Sequence, residues 1–240
     1  MSINLIAHTN RKSPIAEAYR TLRTNIQFSS VDKKVKTIAV TSAGPSEGKT
    51  TTISNLAETF AQAGNRVIIV DSDLRRPRVH KLYGLESSEG LTNVLAGQKD
   101  LKQVIRVSES DVHIMTSGPI PPNPSELLGS QKMQELIQVL EEHYDIVLFD
   151  APPVNVVTDA AILSTLVDGI IFVVASGRTE IENGKHAMKS LEAVNANVLG
   201  VVMTMIPVSK KGYYGYSYYS YEQDALESKK KRRFLKTKNR

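Results

Sequence analysis

A nine-residue stretch near the start of the chain carries the residue types that phosphate binding requires. It follows the apolar run Thr37–Val40, precedes a helical pattern, and consists of Ala43, Gly44, Pro45, Ser46, Glu47, Gly48, Lys49, Thr50 and Thr51. A strand, a small-residue loop, Gly-Lys-Thr and a helix are the layout of a P-loop, whose backbone N–H groups point at phosphate oxygens. Lys49 would reach the β- and γ-phosphates, and the Thr50 hydroxyl would hold Mg²⁺. Although the strict pattern has glycine at Ala43, we predict that this P-loop binds a nucleoside triphosphate with Mg²⁺.

Two later apolar runs end in aspartate. Val67–Val70 is followed by Asp71 and, two residues on, by Asp73, whereas Ile146–Phe149 is followed by Asp150. Open α/β sheets bind ligands at the carboxyl ends of their strands, so these carboxylates are expected near the P-loop. An apolar run that ends in aspartate behind a P-loop is a Walker B pattern, whose carboxylate binds Mg²⁺ directly or through water.

The elements needed to position these residues alternate between helix and strand. We predict helices over Ser13–Phe28, Thr51–Gln62 (closed by Gly64), Gly90–Ala96, Leu101–Arg106, Ser125–Glu142 and Glu180–Val194, and further strands over Val112–Met115, Gly169–Ala175 and Val198–Met203. Wholly apolar strands are typical of a parallel sheet that is covered on both faces. The predicted fold class is therefore α/β, a mostly parallel central sheet flanked by helices, as in P-loop NTPases.

Composition excludes several functions. The chain has 240 residues, of which 41% are apolar and 23% charged, enough for one substantial domain. It has no cysteine, which excludes disulfides, thiolate zinc sites and a cysteine nucleophile. The apolar runs are too short to span a bilayer. We therefore expect a cytoplasmic protein whose membrane attachment depends on a partner.

The C-terminal region differs from the rest of the chain. Its last twelve residues, 229–240, hold eight cations, more than the net charge of +5 for the whole chain, so this charge belongs to a tail. Such a tail is either simply solvated or attracted to anionic lipid or an acidic partner. Just before it lie six of the nine tyrosines: Tyr213, Tyr214, Tyr216, Tyr218, Tyr219 and Tyr221. Because glycine and serine replace aliphatic residues there, the segment offers no core face, and its hydroxyls could accept a phosphoryl group. An aromatic sticker or a nucleic-acid stacking surface is the other interpretation.

With these motifs assembled, the chain resembles the bacterial tyrosine kinases that regulate capsular and exopolysaccharide synthesis, in the cytoplasmic form found in Firmicutes. The matching segments are Ala43–Thr50 (Walker A), Val67–Arg75 (a second Walker motif), Val147–Pro152 (Walker B) and the terminal cluster Tyr213–Tyr221. The family's Glu-x-x-Arg-x-x-Arg motif, which joins subunits into a ring, matches Glu17, Arg20 and Arg23. From their spacing alone these three residues would be interpreted as a solvated helix face.

The resemblance implies an ATP-dependent protein-tyrosine kinase that phosphorylates its own tyrosine cluster. It also implies a transmembrane adaptor on a separate polypeptide, whose cytoplasmic tail completes the nucleotide site and recruits the kinase to the inner face of the membrane. The other implied partners are further copies of the chain, protein substrates and a cognate phosphatase, with no nucleic acid. We accordingly divide the chain into an oligomerisation region (1–35), a kinase domain (36–207) and a tyrosine-rich, basic tail (208–240).

Phosphoryl transfer needs positioning and charge neutralisation more than covalent help, which assigns a role to each site residue. Lys49 and the loop amides would stabilise the developing charge, and Thr50 and Asp150 would hold Mg²⁺ with a water-mediated contact from Asp73. A tyrosine hydroxyl has a pKa near 10, so a carboxylate that accepts its proton would help, and Asp71 is the first choice. The order of Asp71 and Asp73 is left open. Arg75 either positions an acidic group or phosphate or forms a surface ion pair.

Two other functions compete with a kinase. The dimerising switch ATPases of cell-division-site selection and plasmid partition, the deviant-Walker ParA/MinD branch, share this fold and strand-end aspartates. Their P-loop carries a signature lysine five residues before the P-loop lysine, where this chain has Gly44. They also have no need of clustered tyrosines. The second competitor is a non-catalytic adaptor whose tyrosines and basic tail bind polymer or lipid. It does not account for an intact set of catalytic residues, namely Lys49, Thr50, Asp71, Asp73 and Asp150.

Overall fold

A computed structural model of the chain describes residues 5–29 and 34–207. The chain divides into two compact units, Met1–Met205 and Ile206–Arg240, and of the second only Ile206 and Pro207 are described. The predicted acceptor tyrosines and the basic tail therefore lie outside the described residues. The proposed boundaries at 35/36 and 207/208 stay predictions.

The core of the first unit is a seven-stranded sheet. Its strands are β1 (Thr37–Ser42), β2 (Val67–Asp71), β3 (Ile105–Val107), β4 (Val112–Met115), β5 (Ile146–Asp150), β6 (Gly169–Ala175) and β7 (Val198–Thr204). Their order across the sheet is β3-β4-β2-β5-β1-β6-β7, and only β3 runs antiparallel to its neighbour. Every residue of the three central strands β1, β2 and β5 is buried, which explains why these strands are so apolar. The predicted mostly parallel α/β fold is confirmed.

The described residues form ten helices, of which the first two precede β1 and the others lie between strands. They are α1 (Ile6–Thr9), α2 (Pro14–Gln27), α3 (Lys49–Ala61), α4 (Val79–Tyr83), α5 (Leu91–Leu95), α6 (Leu101–Val104), α7 (Pro124–Leu128), α8 (Gln131–His143), α9 (Asp159–Ser164) and α10 (Ile181–Glu192). Strand residues alternate between two cores. Ile69 and Leu148 pack with Leu56 and Phe60 of α3, whereas Val70 belongs to the core that contains α8, α9 and α10.

Helix α2 begins as predicted. The Ser13 hydroxyl accepts a hydrogen bond from the Ala16 N–H (3.0 Å), and Pro14 occupies the first turn. α2 packs on α3, as does α1, whose Ala7 N–H donates to Asn55 Oδ1 (2.9 Å). The N-terminal helices therefore cover the helix that follows the P-loop. None of the described helices is both long and apolar enough to cross a membrane.

Three predicted helices needed correction. The helix expected over Ser125–Glu142 is divided at Gly129, and α8 starts anew with the Ser130 hydroxyl accepting from the Met133 N–H (3.3 Å). The helix expected over Leu101–Arg106 stops at Val104, because residues 105–107 pair with β4 instead. α3 begins two residues before the predicted Thr51, and Gly64 is left-handed (φ +83°) beyond the Gln62 cap.

Candidate active site

The P-loop connects β1 to α3 through a backbone that two left-handed residues shape. Ser46 has φ +60° and Gly48, which caps α3, has φ +95°. A Cβ atom at Gly48 would lie 3.3 Å from the side chain of Thr204, so both its conformation and its surroundings favour glycine. The loop therefore ends at a helix N-terminus whose free N–H groups suit an anion.

Lys49 lies at this helix start with its ammonium turned inward. Only 8% of the residue is exposed, and Nζ donates to the Ser42 hydroxyl at the end of β1 (3.2 Å). Burial lowers the pKa of Lys49, and the charge of Asp150 opposes that effect. A cation held in this buried setting without a direct carboxylate hydrogen bond is available to an incoming phosphate.

Thr50 and the two strand-end carboxylates meet beside it. The Thr50 hydroxyl donates to Asp150 Oδ2 (2.6 Å), and Asp150 is level with Asp71 on the neighbouring strand. Asp71 Oδ2 accepts from the backbone N–H groups of Arg78 (3.1 Å) and Val79 (3.0 Å). The second oxygen of each carboxylate, Oδ1, is buried and has no hydrogen-bond partner within the described part of the chain. The structure thus brings Lys49, Thr50, Asp71 and Asp150 to one edge of the sheet.

The environment of the two carboxylates opposes their ionisation. Burial raises the pKa of Asp150 to about 6, although the Thr50 hydroxyl and Lys49 favour the charged form. Burial and the neighbouring Asp150 also raise the pKa of Asp71 well above its usual range. A bound cation would offset both effects, because it would supply the positive charge that the buried oxygens lack.

The remaining predicted residues are less buried. Asp73 Oδ1 accepts from the backbone N–H of Arg76 (2.9 Å), an interaction that closes the turn after β2. Arg75 forms a two-pronged ion pair with the buried Asp159 (2.9 and 3.1 Å) and also donates to Ser125 (3.1 Å). Arg75 is thus ion-paired to a buried carboxylate, which it positions, rather than to a surface one.

The donor set at the site fits Mg²⁺ that arrives with a nucleotide. No group of three or more His, Cys, Asp or Glu side chains within residues 5–29 and 34–207 is placed to hold a metal alone. Mg²⁺ usually keeps several waters and binds through one or two carboxylates and phosphate oxygens, so a protein cage is unnecessary. The Thr50 hydroxyl and the unpartnered Asp150 oxygen meet that requirement.

The predicted oligomerisation residues divide into two kinds. Arg20 Nε donates to Glu17 Oε2 (2.7 Å) on the exposed side of α2. Arg23 instead turns toward α3, where Nη1 donates to the carbonyl of Thr59 (2.8 Å). Sequence spacing placed all three residues on one side of α2. Within the described residues Arg23 is hydrogen-bonded to α3, whereas neither Glu17 nor Arg20 has a hydrogen bond to that helix.

Sequence reasoning missed a group of residues that hold the P-loop from outside. Arg178 Nη1 donates to the carbonyl of Ser46 (3.0 Å), the Thr179 hydroxyl to Glu47 Oε1 (2.7 Å), and the Thr204 hydroxyl to the carbonyl of Glu47 (2.7 Å). All three follow or end strands β6 and β7. The rule that ligand sites gather at the carboxyl ends of parallel strands could have singled them out.

A mostly parallel sheet with this loop after β1, one of its three central strands, and with carboxylates ending β2 and β5, defines a P-loop NTPase. A protein-family model described as an AAA domain matches residues 35–198. Tyrosine-protein kinase YwqD of Bacillus subtilis is 46% identical over 217 residues, which cover 90% of this chain and 92% of that protein. The kinase domain of the Escherichia coli tyrosine kinase ETK matches with a TM-score of 0.83 and 32% identity, covering 89% of this chain and 84% of that one. The chain belongs to the bacterial tyrosine-protein kinase family.

The competing switch-ATPase branch is similar at the level of the fold. The septum site-determining protein MinD of Pyrococcus horikoshii OT3, complexed with Mg-ADP, matches with a TM-score of 0.59 and 24% identity, covering 70% of this chain and 69% of that one. This likeness shows a shared fold and says nothing about activity.

Proposed function

We propose that the chain is an ATP- and Mg²⁺-dependent protein-tyrosine kinase that phosphorylates its own cluster Tyr213–Tyr221. The observation that carries this proposal is the convergence of Lys49, Thr50, Asp71 and Asp150, with the Thr50 hydroxyl 2.6 Å from Asp150. These are the parts that phosphoryl transfer needs: a phosphate-binding cation, a metal-binding hydroxyl and carboxylate, and a second carboxylate close by.

Lys49 and the loop amides would bind the transferred phosphate. The ammonium exchanges its Ser42 hydroxyl for phosphate oxygens and stabilises the negative charge that develops there. Thr50 and Asp150 would hold Mg²⁺, which would neutralise charge on the β- and γ-phosphates when bound. The more exposed Asp73 would reach that ion through water.

Asp71 is the proposed general base. A base is most effective when its pKa lies near the working pH, and burial moves the pKa of Asp71 in that direction. Its Oδ1, which accepts no hydrogen bond within residues 5–29 and 34–207, would take the proton of an incoming tyrosine hydroxyl. The two N–H groups on Oδ2 keep the carboxylate oriented while that proton moves.

The proposed partners follow from the family. We propose a transmembrane adaptor whose cytoplasmic tail activates the kinase and holds it at the inner face of the membrane, a ring of identical subunits, protein substrates with a cognate phosphatase, and a role in capsular or extracellular polysaccharide synthesis. The nearby relatives named as tyrosine-protein kinases support this proposal.

Labelled ATP tests the activity directly. The full chain is incubated with labelled ATP, Mg²⁺ and the adaptor tail, and the labelled residues are mapped by mass spectrometry. Label is expected on Tyr213–Tyr221, and it should be lost in Lys49→Met but kept in the matched control Lys132→Met, which removes an exposed lysine of α8. Label confined to serine or threonine, or undiminished in Lys49→Met, would contradict the proposal.

The same reaction distinguishes the switch ATPase. An enzyme of that class would release inorganic phosphate at a rate sensitive to Lys49→Met while leaving the protein unlabelled. Measuring phosphate and protein label together therefore separates the two functions in one experiment.

A further inference from the structure

The middle of the P-loop, residues Ser46–Gly48, is held by side chains from two other strand ends. The anchoring network consists of Glu47, Arg178, Thr179 and Thr204. Glu47 is a charged residue that is only 4% exposed, so its carboxylate depends on protein partners. One of its oxygens, Oε1, accepts from the Thr179 hydroxyl at 2.7 Å, and the other is buried without a partner among the described residues.

Thr179 joins this carboxylate to the sheet. Its hydroxyl accepts from the backbone N–H of Ala175, the last residue of β6, at 2.8 Å while donating to Glu47. A hydroxyl that both accepts and donates a hydrogen bond is fixed in orientation, and it fixes the carboxylate to which it donates. β6 lies directly beside β1, from which the P-loop departs. The Glu47–Thr179 bond therefore links the loop to the neighbouring strand.

Thr204 and Arg178 hold the backbone on either side. The Thr204 hydroxyl, at the end of β7, donates to the Glu47 carbonyl (2.7 Å), and its methyl group lies 3.3 Å from the position that a Cβ of Gly48 would take. Arg178 donates to the carbonyl of Ser46 (3.0 Å). These contacts fix the peptide groups around two left-handed residues, Ser46 and Gly48. A non-glycine residue in that conformation persists when its surroundings determine it.

We propose that Glu47 is a positioning residue of the kinase, and that Thr179 and Thr204 act through it to keep the P-loop amides aimed at the phosphates. The proposal rests on the proposed nucleotide-binding function. Glu47 was assigned to the phosphate-binding loop by its place in the motif. The anchoring network gives it another role, because its side chain is bonded to the β6–α10 connection and sets the shape of the loop from there.

Three hydroxyl variants test the anchoring network. Thr179→Val removes the donor to Glu47 at nearly constant volume, Thr179→Ser keeps it, and Thr204→Val removes the second donor. Thr165→Val is the matched control, because its exposed hydroxyl donates only within the end of α9 (2.8 Å to Ile162). The first readout is amide hydrogen exchange of the P-loop peptide in the nucleotide-free protein, and the second is the Kd for Mg-ADP by calorimetry.

Thr179→Val and Thr204→Val are each expected to speed P-loop exchange and to raise the Kd by about tenfold. About tenfold is the usual scale for leaving a buried acceptor, here the Glu47 carboxylate or its backbone carbonyl, without its donor. Thr179→Ser and Thr165→Val should match the wild type in both readouts. A purely structural role would lower thermal stability in Thr179→Val without a change confined to the P-loop. If Thr179→Val does not fold, Thr204→Val decides the question alone.

Wild-type exchange and Kd in Thr179→Val and Thr204→Val would overturn the inference, as would a Thr179→Ser variant as impaired as Thr179→Val. The failure of the proposed function looks different. A wild-type protein that binds no Mg-ADP even with the adaptor tail present refutes nucleotide binding. The exchange rates of the P-loop still decide whether the network positions the loop.

Discussion

Replacing Asp150 with asparagine is expected to stabilise the nucleotide-free protein above pH 6 and, at the same time, to remove its response to Mg-ADP. Asp150 is 2% exposed and lies level with Asp71, so the native fold holds two carboxylates in a buried space. Asparagine keeps an oxygen that can accept from Thr50 but removes the charge. Asp150 is thus predicted to destabilise the nucleotide-free protein and to be required for Mg-ADP binding.

The magnitude follows from the pKa of Asp150, which burial raises from 3.8 to about 6. Between these values the native state binds more protons than the unfolded state, so the free energy of unfolding falls as the pH rises from about 4 to 6. At 1.36 kcal/mol for each pKa unit, the ionised Asp150 costs the fold about 3 kcal/mol above pH 6. Asp150→Asn should raise the free energy of unfolding by an amount of this order at pH 7.5. It should also remove the part of the pH dependence between pH 4 and 6 that comes from Asp150.

Urea unfolding at pH values from 4 to 8 measures this effect for the wild type, Asp150→Asn and Asp145→Asn. Asp145 is a control of opposite sign, because hydrogen bonds from Arg66 lower its pKa to about 2. The ionised Asp145 stabilises the fold above pH 4, and this stabilisation is lost as the pH falls toward 2. Asp145→Asn should therefore be less stable than the wild type at neutral pH. Mg-ADP at a hundred times its Kd for the wild type should raise the free energy of unfolding of the wild type by about 2.7 kcal/mol. It should leave that of Asp150→Asn unchanged.

Two results would refute this reasoning. One is an Asp150→Asn protein that is less stable than the wild type at pH 7.5, which would mean that the charge of Asp150 stabilises the empty site. The other is an unchanged slope of stability between pH 4 and 6, which would assign the pH dependence to another group.

Three further predictions concern contacts away from the phosphates. Arg23→Ala should lower the free energy of unfolding in urea by about 1 kcal/mol, because it loses its hydrogen bond to α3. Arg20→Ala, on the exposed side of α2, should instead weaken the proposed oligomer, which light scattering would measure, and a monomeric wild type would contradict that assignment. Gly90→Ala should lower the free energy of unfolding in urea by about 3 kcal/mol or more, because the added Cβ would lie 2.1 Å from a backbone carbonyl oxygen. An unfolding midpoint equal to that of the wild type would refute this packing. Arg75→Ala should lower the free energy of unfolding by about 2 kcal/mol, because the buried Asp159 loses two hydrogen-bond donors. A urea midpoint equal to that of the wild type would show that this ion pair does not stabilise the fold.

The parts of the site that the sequence predicted are those with a local signal. Gly48, Lys49 and Thr50 are consecutive and lie between a strand and a helix, and Asp71 and Asp150 each end an apolar run. Because parallel strands bring their carboxyl ends to one edge, local patterns were sufficient to place all of these residues together.

The parts that escaped prediction depend on long-range contacts between ordinary polar residues. Thr179 is 132 residues from its partner Glu47, and Arg75 is 84 residues from Asp159. No spacing rule connects such pairs. The same reason explains β3, where pairing with β4 overrides the helical pattern that ends at Val104.

The place of β5 between β1 and β2 has a consequence for how the protein is made. β1 and β2 are synthesised first, yet the final sheet separates them by a strand whose residues, 146–150, come about 75 positions after β2. Pairings of this kind form late, because the chain must first close a long loop. A growing chain that already contains Lys49 and Asp71 therefore still lacks the strand that aligns them. The proposed nucleotide site is therefore expected to be complete only after β5 has been synthesised.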